Sequence, residues 1–107
     1  MLEAAKLALR ITTDAYDAEI ASLLMAGAND LRIAGVNLGG EVSFGVDGDT
    51  VVDNCTVMDE LIKRALITYV RVHFGSPRDY ALVKTSYDEQ KTQLMHSSGY
   101  TDWGDGK

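Results

Sequence analysis

Val57-Met58-Asp59-Glu60-Leu61-Ile62-Lys63-Arg64-Ala65-Leu66-Ile67-Thr68-Tyr69-Val70-Arg71-Val72-His73-Phe74 is the longest stretch of the chain in which apolar residues recur at helical spacing without a break. Leu61, Ile62, Ala65, Leu66, Tyr69, Val70, His73 and Phe74 follow at steps of three and four and make one broad apolar stripe. Asp59, Glu60, Lys63, Arg64 and Arg71 lie mostly off it. The pattern predicts a core helix against which the rest of the chain packs. Asn54 or Thr56 is placed to cap its start, with Asp59 and Glu60 in the first turn, where negative charge suits the helix dipole. Gly75 can take the left-handed conformation just past its end. Ser76-Pro77-Arg78-Asp79 then reads as the next N-cap, with Pro at the first helical position and an acid three residues after Ser. A tight corner and a helix folded back on this one are expected.

Working outward, Leu2 to Leu9 is a short helical pattern with Leu2, Ala5 and Leu9 on one face, too short to stand without docking. Residues 14–33 predict a second helix, with Thr13 or Asp14 as N-cap and Asp17 and Glu19 near its positive end. Its stripe is Ile20, Leu23, Leu24, Gly27 and Leu31; the small residues Ala26 to Ala28 permit close approach of another helix, and Gly35 ends it. From Val36 helical spacing disappears. Val42, Phe44 and Val46 alternate with Glu41, Ser43 and Gly45, Asp47-Gly48 supplies the residues of a tight turn, and Asp49 to Val52 can return as a partner strand. A hairpin is marginal alone and must lie on the helices or on a neighbouring subunit. Residues 78–96 predict the last helix, with Tyr80, Val83, Tyr87 and Leu94 on one face. The expected architecture is mainly all-α: a small antiparallel bundle of about four helices over residues 1–96, a loop or hairpin inserted at 36–56, and a flexible polar tail at 97–107.

At 107 residues the chain supports one core but not two independent ones. With 46% hydrophobic and 24% charged residues it falls in the soluble globular class. The net charge of -6 argues against free-standing nucleic-acid binding, which needs clustered Lys and Arg to displace counterions. No basic residue occurs between Arg32 and Lys63, an interval that holds Glu41, Asp47, Asp49, Asp53, Asp59 and Glu60. The single Cys55 excludes an intramolecular disulfide and fits a reducing cytosol. Glu3 and Lys6 interrupt the first apolar run, so no signal peptide is expected. Lys63, Arg64 and Arg71 break the most apolar helix far short of the roughly 20 apolar residues of a membrane span.

No chemistry is written in the side chains. His73 and His96 fall on different helices and Cys55 in a loop, with no spacing that suits a zinc site or a nucleophile-base pair, so neither a catalytic residue nor a metal or other cofactor is expected. His73 reads as a core-edge residue stacked near Tyr69. Asp47-Gly48-Asp49 with Asp53 has some residues of a calcium loop, but its Gly is misplaced and no Glu closes it, so a turn is the better explanation. The acid-only interval is read either as a solvated loop or as a surface that does not adhere to a passing polyanion. Tyr100 and Trp103, on an otherwise polar tail, are either an exposed end or a docking peptide.

Leu7-Ala8-Leu9-Arg10-Ile11, then Asp14, Asp17, Glu19-Ile20 and the run through Leu23-Leu24-Met25-Ala26 to Leu31, resembles the start of the phage head-tail connector proteins. The more specific part is Lys63-Arg64-Ala65-Leu66-Ile67-Thr68-Tyr69-Val70, His73-Phe74-Gly75, Ser86-Tyr87 and the closing Leu94-Met95-His96-Ser97-Ser98-Gly99-Tyr100. The resemblance covers the helices and the tail but not residues 36–55, which are longer than the corresponding loop. It implies a structural virion protein at the head-tail junction, assembled in the host cytoplasm: an adaptor that forms a ring of its own copies on the portal protein after DNA packaging and joins a tail-side completion or stopper protein. DNA would pass through without specific binding, and no membrane would be involved. On this resemblance Tyr100 and Trp103 are candidates for portal docking, and Glu41, Phe44, Asp47, Asp49 and Asp53 for a neighbour contact or a channel face. A generic helical interaction module, or a helix-turn-helix DNA-binding packaging protein, remains the alternative; the latter needs a basic recognition helix, which is absent.

Overall fold

In a computed structural model of the chain, which describes residues 1–74 and 80–96, four helices enclose one core and carry a two-stranded hairpin between the second and third. The elements are α1 (Leu2–Leu9), α2 (Asp17–Ile33), β1 (Phe44–Asp47), β2 (Thr50–Asp53), α3 (Glu60–His73) and α4 (Tyr80–His96). The expected corner at Gly75 and residues 76–79, and the expected tail at 97–107, lie outside the described residues.

Helix α3 touches α1, α2 and α4. Its buried residues are Ile62, Ala65, Leu66, Thr68, Val70 and Val72, so the covered arc is wider than the stripe expected from sequence. Thr68 enters the core because its hydroxyl donates to the Arg64 carbonyl one turn back (2.9 Å), which leaves no unpaired polar atom. Leu61 and His73, expected on the stripe, are exposed at the two ends of the helix. At the start of α2, Tyr16 meets Phe74 just past α3 edge-on (ring centroids 5.5 Å apart), so these helices run antiparallel. Leu61 shares a small cleft with Leu94, while Val72 borders Tyr87 at the other end, which makes α4 antiparallel to α3 as well. Val83, Tyr87 and Leu94 are the buried residues of α4, and Tyr80, its first residue, is half exposed. The small-residue stretch of α2 does what its composition allows: a Cβ at Gly27 would lie 3.1 Å from the Tyr69 ring.

Two helix starts differ from expectation. The N-cap of α3 is Asp59, whose carboxylate accepts from the Leu61 and Ile62 N–H groups (2.8 and 3.3 Å). Asn54 and Thr56 are taken by the base of the hairpin: Asn54 N–H donates to Ser43 O, Thr56 N–H to Glu41 O, and Thr56 Oγ1 accepts from Glu41 N–H. Helix α2 begins at Asp17, with Tyr16 as N-cap and no side-chain cap. Thr13 is spent on a local turn to Ala15 N–H, and Asp14 reaches Lys6 instead.

In the hairpin Phe44 pairs with Asp53, Gly45 with Val52, Val46 with Val51 and Asp47 with Thr50. The two-residue loop is therefore Gly48-Asp49, one residue later than expected. Only Gly48 has positive φ (65°), the pattern of a type II′ turn, which wants Gly first. Directly opposed residues share a face, so Phe44, Val46, Val51 and Asp53 face one way and Gly45, Asp47, Thr50 and Val52 the other. Phe44 and Val51 pack on the core, whereas Val46, nearer the turn on the same face, is 76% exposed. The hairpin is seated at its base, and its tip overhangs the body.

That seat depends on close backbone approach. A Cβ on Gly40 would lie 2.8 Å from the Thr56 carbonyl carbon and oxygen and 2.9 Å from Val57 N, none of which a rotamer change can move. Gly40→Ala should destabilise the protein by about 2 kcal/mol, the scale of overpacking in a tight site; an unchanged urea midpoint would show that the hairpin base is not held against residues 56–57.

Candidate functional site

The five residues of the acidic interval singled out from sequence divide between two jobs. Phe44 packs on the core, and Asp53, though exposed, lies on the same face of the hairpin and turns its carboxylate to α1. The Asp53 carboxylate accepts from Leu2 N–H (2.8 Å) and Cys55 N–H (3.0 Å) and meets the Met1 amino group at 2.9 Å. Partial burial works against its charge, but these donors outweigh it and hold the carboxyl well below the ordinary range. Because Leu2 opens α1, Asp53 supplies both a cap and a negative charge to a helix whose own N-cap residue has no capping side chain. Glu41, Asp47 and Asp49 are exposed and form no ion pair among the described residues. Glu41 stands at the base of the hairpin beside Thr56, and Asp47 and Asp49 flank Gly48 at the tip.

Two polar clusters escaped the sequence reading. Lys6 is buried on α1, where it meets Asp14 at 2.7 Å and Asp17 at 2.9 Å. The hydrogen bonds to both carboxylates outweigh desolvation and push its pKa up. It ties α1 to the start of α2, just as Arg10, in the left-handed conformation (φ 59°), turns the chain between them. The second cluster joins α2 to α4 at Asp30, whose Oδ2 accepts from the Tyr87 hydroxyl and from Lys91 Nζ (3.2 Å). Tyr87 is buried and touches Tyr69 edge-on (5.3 Å), and Lys91 lies 5.8 Å from the Tyr87 ring centre. Burial, then the bond to Asp30, push the Tyr87 phenol far above its ordinary value, so it stays a neutral donor. The stacking of His73 on Tyr69 is as expected, with ring centroids 4.3 Å apart.

These groups border a groove of about 300 Å³ between α3 and α4, but their polar atoms are spent on one another. Asp30 and Tyr87 clamp α2 to α4. Cys55 donates weakly to Ser43 O (3.6 Å), and burial first, then Asp53, push its thiol up to about 11, the opposite of a reactive cysteine. Among the described residues no group of three His, Cys, Asp or Glu side chains is placed to hold a metal ion. No helix of the described residues is long and apolar enough to cross a membrane. The candidate docking residues Tyr100 and Trp103 lie outside the described residues.

A family model described as "Phage connector protein" matches residues 1–101, which includes the hairpin segment that the sequence resemblance left out. No curated protein and no solved structure matches the chain.

The two polar anchors give separate expectations. Tyr87→Phe removes one charge-assisted hydrogen bond from Asp30 without changing the packing of the ring and should cost about 2 kcal/mol; equal denaturation midpoints would mean that Lys91 alone satisfies Asp30. For Asp53 the folded-state pKa lies below the ordinary 3.8, so its contribution is fully present above that value and is lost as pH falls through the folded one. The stability difference between wild type and Asp53→Ala should therefore be largest near neutrality and shrink on acidification below about pH 4. Thermal melts across that range check it, and a gap that widens in acid would contradict the sign.

Proposed function

We propose that the chain, which belongs to the phage connector protein family, is a head-completion adaptor that assembles as a ring on the portal after DNA packaging and joins the head to tail components. The family match over residues 1–101 is the observation that carries this reading. Membership itself makes the protein a connector-type structural component of a phage, with other head or tail proteins as its surroundings. The body suits that role: a compact helical bundle held by internal polar clamps, with a projecting hairpin left free for contact. A net charge of -6 and an exposed acidic tip suit a part that DNA slides past without being held, because like charge prevents counterion-release binding.

In this proposal Tyr100 and Trp103 dock on the portal, since two aromatics on a polar segment bring a large contact area at small entropic cost. Glu41, Asp47 and Asp49 belong to the outward, neighbour-facing or channel-facing part of the hairpin, and Phe44 and Asp53 hold that part in place.

Native mass spectrometry of the chain alone and with the portal ring of the same phage tests the reading. Bound copies in a stoichiometry set by the portal support the adaptor; a chain that stays monomeric and ignores the portal removes it. Trp103→Ala should weaken portal attachment by roughly tenfold or more, as the loss of an interface anchor does, without lowering the melting temperature. Undiminished attachment would take the tail out of the account.

A further inference from the structure

We infer that the acidic hairpin tip of one copy docks on the exposed Arg64–Arg71 stripe of α3 in a second copy, an inference that rests on the ring reading and names the contact that would build the ring. Four observations carry it. First, the tip is free: Val46, Asp47, Gly48, Asp49 and Thr50 are all exposed, and the two carboxylates have no ion pair among the described residues. Second, Val46 is a large apolar residue left in solvent on a strand whose preceding inward residue, Phe44, packs on the core.

Third, α3 keeps one uncovered stripe. Glu60, Arg64, Ile67 and Arg71 recur at steps of four, three and four; Ile67 is half-buried and the other three are exposed. Glu60 is paired with Lys63 (3.6 Å), whereas Arg64 and Arg71 form no ion pair among the described residues. Seven residues of helix separate the two arginines by about 10 Å, and the two aspartates stand within about 7 Å of each other. Flexible guanidinium arms spanning those distances can hold the Asp47 and Asp49 carboxylates. Ile67 lies between the two arginines, so the paired charges flank an apolar position, as charged rims flank apolar centres in interfaces.

Fourth, charge selects the geometry. A two-fold contact of tip with tip would oppose four carboxylates, and a contact of stripe with stripe would oppose four guanidinium groups. Tip on stripe is the complementary arrangement. It uses two different surfaces of the same chain, and such a heterologous contact repeats from copy to copy until it closes into a ring.

The test is a charge-reversal exchange in the full chain, read by native mass spectrometry with and without the portal ring. Asp47→Lys with Asp49→Lys makes one variant, and Arg64→Glu with Arg71→Glu the other. All four sites are exposed, so both should melt as wild type does, and circular dichroism checks this. Each variant alone should lose self-association by roughly tenfold or more. An equimolar mixture should regain it in alternating order, and a chain carrying all four changes should assemble by itself. If wild type assembles and both variants do so equally well, this contact is wrong while the ring stands. If wild type never assembles, even on the portal, the ring reading and the contact fall together. If the arginine variant assembles normally but loses retention on duplex DNA, the stripe faces DNA and the inference is overturned.

Discussion

Helix α3 cannot be satisfied by one neighbour. Its buried residues spread from Thr68 round to Val70, just over half of its circumference, and each Å² of apolar surface left wet forfeits roughly 25 cal/mol. Three helices are needed to cover that arc, and α1, α2 and α4 supply the cover. The close approach of α2 follows from Gly27, which leaves room for the Tyr69 ring. What remains of α3 after three neighbours have docked is the narrow stripe with Arg64 and Arg71. That exposed stripe is thus what the packing of a largely buried helix leaves over.

The same logic explains why polar residues occupy interior seams. Lys6 with Asp14 and Asp17, and Asp30 with Tyr87 and Lys91, sit where one helix meets another and each is internally paired. Breaking such a pair leaves a desolvated charge, which costs more than the pair contributes, so these seams fix which helix faces which. Asp53 does this for the hairpin. It ties β2 to the first turn of α1, and with Phe44 and the close approach at Gly40 it fixes the direction in which the tip projects.

Helical periodicity made α2, α3 and α4 legible in the sequence, and the alternation around Phe44 with Asp47-Gly48-Asp49 made the hairpin legible to within one residue of its turn. The caps were not legible, because several Asp, Asn and Thr residues competed for each helix start and tertiary pairing decided among them. Thr56 looked like a cap and went to Glu41; Asp59 looked like a first-turn acid and became the cap. Lys6 and Asp30 were hidden for a related reason: a charged residue on a short or small-residue helix reads as solvent-facing until its partner is known. Of the candidate site residues, the sequence could mark the acids but not separate inward Asp53 from outward Asp47 and Asp49. Which face a hairpin residue takes depends on register, and a one-residue shift of the turn reverses it.

Register therefore also decides what the hairpin can offer. With Gly48-Asp49 as the loop, Val46 shares the inward face with Phe44 but stands past the edge of the core, so an apolar side chain is carried out to the tip on the face opposite Asp47. A purely polar tip would be better solvated and a purely apolar one would invite indiscriminate association; mixing them restricts the partner to a surface with an apolar strip and positive charge. Among the described helices the α3 stripe meets that condition with Ile67, Arg64 and Arg71. Such a contact weakens with salt because its charges are at the rim, while its apolar centre does not. An assembly made this way would stay reversible in subunit exchange at high ionic strength and tighten as salt falls, a salt response opposite to that of an interface held by apolar burial alone.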